Sequence, residues 1–219
     1  MRLWIFLYRF FILAFKTERK EIVNFFIHFL KELKKTGAVA PSSKFLARDL
    51  VEQLQRQTIE EPFEPLNILE IGAGTGSLTN EIAKNLRPSD TLDIVELQKD
   101  FYEVIQKKFS GENISVYHTD IINFTPFIKY DFVFSSLPYE NMSAELCKSI
   151  WDKKLALCEH QAYICYFKYI SFRGIKNAFQ QSVVQKFGCE EKVVLRNLPP
   201  AKLFTLQINT SNPLVAAEI

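Results

Sequence analysis

Two kinds of hydrophobic pattern alternate along most of this chain. Short runs of consecutive apolar, often β-branched residues occur at 66–71, 91–97, 114–118, 130–135 and 162–169. Such runs predict buried strands. Between them, apolar residues recur every three or four positions, as in Leu78, Ile82, Ala83 and Leu86, and again over 99–109, 143–157 and 173–187. Those stretches predict helices with one buried face. Two further strands, 192–195 and 203–209, are joined by the short stretch 196–201 and close the chain as a hairpin. Strand–helix alternation predicts parallel strands, and the final hairpin adds one antiparallel strand. The expected fold is α/β, a Rossmann-like seven-stranded mixed sheet.

Upstream of the first strand the pattern is wholly helical. Residues 44–57 form a helix with Ser42 or Ser43 as its cap. Residues 60–65, EEPFEP, lead as a loop into the first strand. Over 21–35, Glu21, Asn24, His28, Lys31, Glu32 and Lys35 share one narrow stripe, with Ile22, Val23, Phe26, Ile27, Phe29, Leu30 and Leu33 opposite. Two readings of this amphipathic helix stay open: docking on its own domain, or lying in a membrane interface with its lysines at the headgroups. Residues 3–15 are apolar except for Arg9. A helix of that length spans roughly 20 Å, short of a hydrocarbon core of about 30 Å, and no small-residue cleavage site marks a secretory leader. The expected division is an N-terminal helical extension, 1–42, and a single α/β domain, 43–219.

The chemistry gathers where the first strand turns into a helix, at LNILEIGAGTGS, residues 66–77. Glycines allow close backbone approach to a ligand, and a helix start offers unpaired N–H groups. The dinucleotide pattern G-x-G-x-x-G is not met, because the third glycine comes one residue early and Ser77 stands where it belongs. Gly72, Gly74 and Gly76, preceded by Glu70, form the S-adenosylmethionine loop of Rossmann-like methyltransferases. Glu96 ends the second strand 20 residues beyond Gly76, the place of the carboxylate that accepts both ribose hydroxyls. Asp120, just past the third strand, has two readings: acceptor for the adenine amino group, or cap of a following turn. Thr75 and Ser136 complete the expected cofactor set.

Charge separates the two parts. Residues 1–48 carry a net +7, and the remaining 171 carry −5. The basic field therefore belongs to the extension, and an acidic domain opposes phosphate-dominated nucleic-acid binding. The 20 phenylalanines ask for an apolar partner surface. Cys147, Cys158, Cys165 and Cys189 form no C-x-x-C pair, which reads as reduced thiols in a cytoplasmic protein. His28, His118 and His160 are scattered, so no metal site is expected.

Several separated motifs converge on one family. TGAVAPSS at 36–43, EIGAGTG at 70–76, SSLP at 135–138 and NLPPA at 197–201 resemble the small, membrane-associated bacterial phosphatidylethanolamine N-methyltransferases. The resemblance covers about residues 25–209. It implies a class I methyltransferase that methylates a phospholipid amine stepwise toward phosphatidylcholine, and a peripheral position on the inner face of the cytoplasmic membrane. The anionic bilayer is then the partner of the N-terminal helices. The tip of the fourth strand faces the methyl sulfonium in this fold, so Leu137, Pro138 and Asn141 belong to the expected substrate set, with Asn197 and Pro199. Tyr139 and Glu140 are the candidate proton acceptors, and Arg48, Lys168, Arg173 and Arg196 the candidate cations for a lipid phosphate. Ser136-Leu137-Pro138-Tyr139 also resembles the N-L-P-Y motif of ribosomal RNA adenine dimethylases, with Ser136 in place of the asparagine; this supplies the alternative acceptor, an adenine amine.

Overall fold

The computed structural model describes residues 41–109, 111–139, 142–170, 183, 187, 189–197 and 200–209. The apolar run 3–15, the amphipathic helix 21–35 and most of TGAVAPSS lie outside the described residues, as does the helix expected over 173–187 apart from positions 183 and 187.

In chain order the elements are α1 (Pro41–Leu50), α2 (Glu52–Glu60), β1 (Asn67–Ile71), α3 (Ser77–Ala83), β2 (Thr91–Glu96), α4 (Lys99–Lys108) and β3 (Ile114–His118). A 3-10 turn (Ile121–Asn123), β4 (Tyr130–Ser135), α5 (Ala144–Leu157), β5 (Cys158–Tyr169), β6 (Cys189–Val194) and β7 (Ala201–Asn209) follow. The seven strands form one sheet in the order β3-β2-β1-β4-β5-β7-β6. β7 is antiparallel to both of its neighbours, and the other described pairings are parallel. The expected Rossmann-like mixed sheet is present.

The four central apolar runs owe their legibility to burial on both sheet faces. Along β1, Ile68 packs on one side with α1, α2, α3 and α4, while Leu69 and Ile71 pack on the other with α5. The period-2 alternation thus divides one strand between two cores. The edge strand β6 was harder to read. Its Glu190, Glu191 and Lys192 are exposed charges, which blunt an open edge and erase the apolar pattern. It begins at Cys189 rather than 192. β5 likewise begins at Cys158 rather than 162, because Glu159, His160 and Gln161 are exposed and polar.

The helix expected over 44–57 is two, α1 and α2, broken at Val51. Val51 N still donates to Ala47 O and Gln55 N to Val51 O, so one buried stripe of Leu46, Leu50, Val51 and Leu54 runs through the break. Ser42 and Ser43 fall inside α1 instead of capping it. The helix starts at Pro41, a residue suited to the first turn because it lacks an N–H.

Asp90 clamps the lower end of the sheet. Its buried carboxylate accepts from Leu66 N at 3.0 Å, from Arg87 N at 2.8 Å and from the Arg87 guanidinium. Arg87 in turn donates to the carbonyls of Glu61 and Glu64. The loops entering β1 and β2 are joined in this way. Burial alone would raise the Asp90 carboxyl, but the bonds from Arg87 and Leu66 outweigh it and hold the pKa below its ordinary value. Asp90→Ala strands a buried N–H and a half-buried guanidinium. It should cost about 3 kcal/mol, read as a lower urea midpoint with an unchanged slope.

Candidate active site

The site grows from the corner between β1 and α3. Gly72, Gly74 and Gly76 have φ of +77°, +55° and +81°, the left-handed region, and no other described residue does. Each glycine meets a different neighbour. A Cβ on Gly72 would lie 3.1 Å from Leu137 Cδ2, so this glycine lets the loop after β4 close on the corner. A Cβ on Gly76 would lie 2.7 Å from Ile105 and 2.9 Å from Phe109, so this glycine seats α4. A Cβ on Gly74 would meet nothing within 4 Å. Of the three, Gly74 is the one whose missing side chain leaves open room for a ligand.

Glu96 fixes that loop. Its Oε2 accepts from Gly74 N at 2.9 Å and its Oε1 from Gln98 N at 2.8 Å, while Gly72 N donates to Val95 O. The end of β2 therefore holds the glycines in place, with its carboxylate at the mouth of the corner. Glu70 lies beneath, fully buried, and neither of its carboxyl oxygens has a hydrogen-bond partner of good geometry. Burial pushes its pKa up to about 8; the Glu96 charge adds to this, and neighbouring Thr79 opposes it. Two unpartnered acceptor atoms, an open glycine and the Glu96 carboxylate at one corner suit a ligand that brings ammonium and hydroxyl donors. S-adenosylmethionine is such a ligand. Glu96 and the 72–76 backbone would hold it, over the polar floor that Glu70 provides.

The other expected residues take up varied positions. Thr75 Oγ1 lies 3.4 Å from Ser77 Oγ, at the start of α3. Asp120 Oδ1 accepts from Ile122 N and caps the 3-10 turn, so the capping role exists; its second oxygen leaves the adenine role compatible with it. Ser136 N donates to Ile71 O at 3.0 Å, which ties the β4 loop to the end of β1. Leu137 abuts Gly72, and Pro138 follows, half-buried. Cofactor loop and expected substrate loop therefore touch. Tyr139 is turned inward: its hydroxyl lies 2.7 Å from Ser135 Oγ and 2.9 Å from Lys154 Nζ. Burial raises its pKa above the ordinary phenol value. Asn197 is buried in the turn between β6 and β7, at the same sheet edge as the β4 tip. Glu140, Asn141 and Pro199 lie outside the described residues. Among the described residues no cluster of His, Cys, Asp or Glu could hold a metal ion.

Lys154 escaped the sequence reading. It lies on α5, fully buried, with Trp151, Tyr139 and Tyr166 around its ammonium. A signal existed: Cys147, Ile150, Trp151, Lys154 and Leu155 share the apolar stripe of one helix.

Fold and corner together define a Rossmann-like methyltransferase. A solved neighbour of the same fold is magnesium protoporphyrin IX methyltransferase from Synechocystis PCC 6803 with bound SAM, at a TM-score of 0.56 and 13% identity over 73% of this chain and 78% of that one. The family model for ribosomal RNA adenine dimethylase matches residues 42–202, and the chain belongs to that family. Its cofactor is S-adenosylmethionine. Among its relatives, the ornithine lipid N-methyltransferase of Singulisphaera acidiphila is 28% identical over 60% of this chain and 69% of its own length. The ribosomal RNA small subunit methyltransferase A of Mycoplasma capricolum is 32% identical over 38% of this chain, which spans a third of that protein, 33%.

Two measurements check the corner. Gly74→Ala should weaken S-adenosylmethionine binding at least tenfold by calorimetry while costing only about 1 kcal/mol of stability for its backbone strain. Gly76→Ala should cost more stability, because its Cβ strikes Ile105 and Phe109. Glu70 generates a pH slope. The folded protein keeps its proton up to about pH 8, whereas the unfolded chain releases it near 4.5. Stability of the ligand-free protein should therefore fall as pH rises through that window, and Glu70→Gln should remove this share of the fall in a series of thermal melts.

Proposed function

We propose that this enzyme transfers methyl groups to the headgroup amine of a membrane lipid, with phosphatidylethanolamine as the acceptor and repeated transfer leading toward phosphatidylcholine. The observation that carries this reading is the make-up of the loop after β4. Ser136, Leu137 and Pro138 offer a hydroxyl and backbone carbonyls, and no side-chain amide. Adenine's amino nitrogen has a delocalised lone pair and needs a partner that polarises it. An aliphatic amine, once neutral, is a strong nucleophile and needs only acceptors that orient its N–H groups. The lipid substrate of the Singulisphaera acidiphila relative supports the same class of acceptor. So does the −5 charge of residues 49–219.

S-adenosylmethionine supplies an electrophilic methyl group on a sulfonium. The protein's tasks are alignment of the nitrogen with that methyl and removal of a proton from the acceptor. An alkylammonium starts with a pKa near ~10.4, and desolvation over the half-buried 136–138 loop lowers it. The carbonyls of Leu137 and Pro138 then hold the amine, and Tyr139 or Glu140 takes part in its deprotonation. Asn141, Asn197 and Pro199 line the substrate side in this proposal. The extension 1–42 brings the enzyme to the cytoplasmic face of the membrane, its basic residues meeting anionic headgroups.

A second reading, transfer to an adenine amine of ribosomal RNA, is favoured by the family match and by Leu137-Pro138-Tyr139. One assay separates the two. The purified protein is given labelled S-adenosylmethionine with phosphatidylethanolamine vesicles, ornithine-lipid vesicles or undermethylated ribosomal RNA. Label is expected in the phosphatidylethanolamine. Label in ornithine lipid alone would keep the lipid class and change the headgroup, and label in RNA alone would reverse the reading.

A further inference from the structure

Lys154 is an amine sealed inside the sheet–helix core without a counter-ion. Its Nζ lies 4.2 Å from the Trp151 ring centroid, 5.0 Å from that of Tyr139 and 5.3 Å from that of Tyr166. The titratable groups facing it are Tyr139 from the β4 loop, Cys147 on its own helix, Cys158 at the start of β5, and Cys165 and Tyr166 further along β5. No carboxylate among the described residues pairs with it. Burial pushes Cys158 and Cys165 up to about 12, so both remain neutral thiols at working pH. A cation here would have only ring faces and one phenol oxygen to replace water, and burial brings Lys154 down to about 7.

A core position filled only for packing takes an apolar side chain. An amine that changes charge near neutrality and hydrogen-bonds into the substrate loop is suited to moving protons. Its Nζ is 2.9 Å from Tyr139 Oη, and Tyr139 Oη is 2.7 Å from the buried Ser135 Oγ. Ser135 is the last residue of β4, next to the loop on which the acceptor amine is placed above.

We propose that Ser135, Tyr139 and Lys154 form a proton relay that draws a proton from the acceptor amine into the protein interior, with Lys154 a positioning residue that acts through Tyr139. This rests on the proposed N-methyl transfer, in which the acceptor nitrogen must shed a proton. Neutral Lys154 accepts from the Tyr139 hydroxyl, which leaves the phenol oxygen free to accept from Ser135 and the serine oxygen free to accept from the substrate ammonium. When the substrate proton passes to Ser135, the serine proton passes to Tyr139 and the phenol proton to Lys154. Both hydroxyls end neutral, Lys154 ends as an ammonium, and the substrate nitrogen ends with a lone pair. That pair forms the N–C bond as the C–S bond breaks with its electrons on sulfur. Lys154 then returns its proton to solvent between turnovers.

Two readouts test the relay. The chain has two tryptophans, so Trp4→Phe leaves Trp151, beside Lys154, as the sole emitter. Its emission should show a step with a midpoint near pH 7, without any substrate, and Lys154→Met should abolish that step. In turnover, wild-type kcat should rise with pH through the same midpoint. Lys154→Met and Tyr139→Phe should each lower kcat about a hundredfold, flatten that limb and leave S-adenosylmethionine affinity unchanged by calorimetry. Lys154→Arg should not restore the rate, because a guanidinium donates but does not take up a proton. Tyr139→Phe keeps the buried amine, so it breaks the relay even if the Lys154 variants fold poorly. No emission step, or a Lys154→Met enzyme with wild-type kcat and pH profile, overturns the relay. Should the label go to RNA or ornithine lipid instead, the proposed acceptor falls, and the relay is judged by the same two readouts on the acceptor that takes label.

Discussion

The Glu96 carboxylate holds the site in one piece. One oxygen takes an N–H from the glycine loop and the other an N–H from the start of α4. Glycines at positive φ have many alternatives in an unfolded chain, and a single conformation needs fixed partners. Glu96 supplies one, the Val95 carbonyl a second, and the packing of Gly76 against Ile105 and Phe109 a third. The same corner then receives Leu137 against Gly72, and the Ser136 N–H on the Ile71 carbonyl. Cofactor and acceptor regions are thus adjacent because β1 lies between β2 and β4.

Two buried ionisable groups stand on opposite faces of that sheet, and each avoids charge in its own way. Glu70 holds its proton, and Lys154 gives its proton up. Their effects on stability have opposite slopes. Glu70 favours the folded state at low pH. Lys154 favours it at high pH, since the unfolded chain carries the extra proton between about 7 and 10.5. Neither group is what an unconstrained core would choose. One lies beneath the cofactor corner and the other is hydrogen-bonded to the acceptor loop, so the departures from apolar packing coincide with the parts that chemistry requires.

Family membership fixes the reaction type and the cofactor, while the acceptor is chosen by a few atoms at the tip of β4. The relatives show how open that choice is: one methylates an ornithine lipid and another a ribosomal RNA. Within a shared scaffold, an amide or a hydroxyl at position 136 decides which nitrogen can be held and polarised. The basic charge of residues 1–48 bears on the same choice from outside the α/β domain.

The strands β1, β2, β3 and β4 were legible from sequence within one residue of their ends, because burial on both faces or on one demands apolar runs that neighbours in the chain spell out. The glycine corner was legible too, since its spacing and its acids lie within one local turn. Tertiary structure alone decided the rest. It placed β7 between β5 and β6, which no local pattern encodes. It divided the helix at Val51, gave the Asp120 oxygen to a backbone N–H, and left Glu70 without a donor of its own. It also brought Lys154 to Tyr139, 15 residues away in the chain. Periodicity reports which face of an element is buried. Which groups meet on that face depends on how separate elements pack, and that information is distributed over the whole chain.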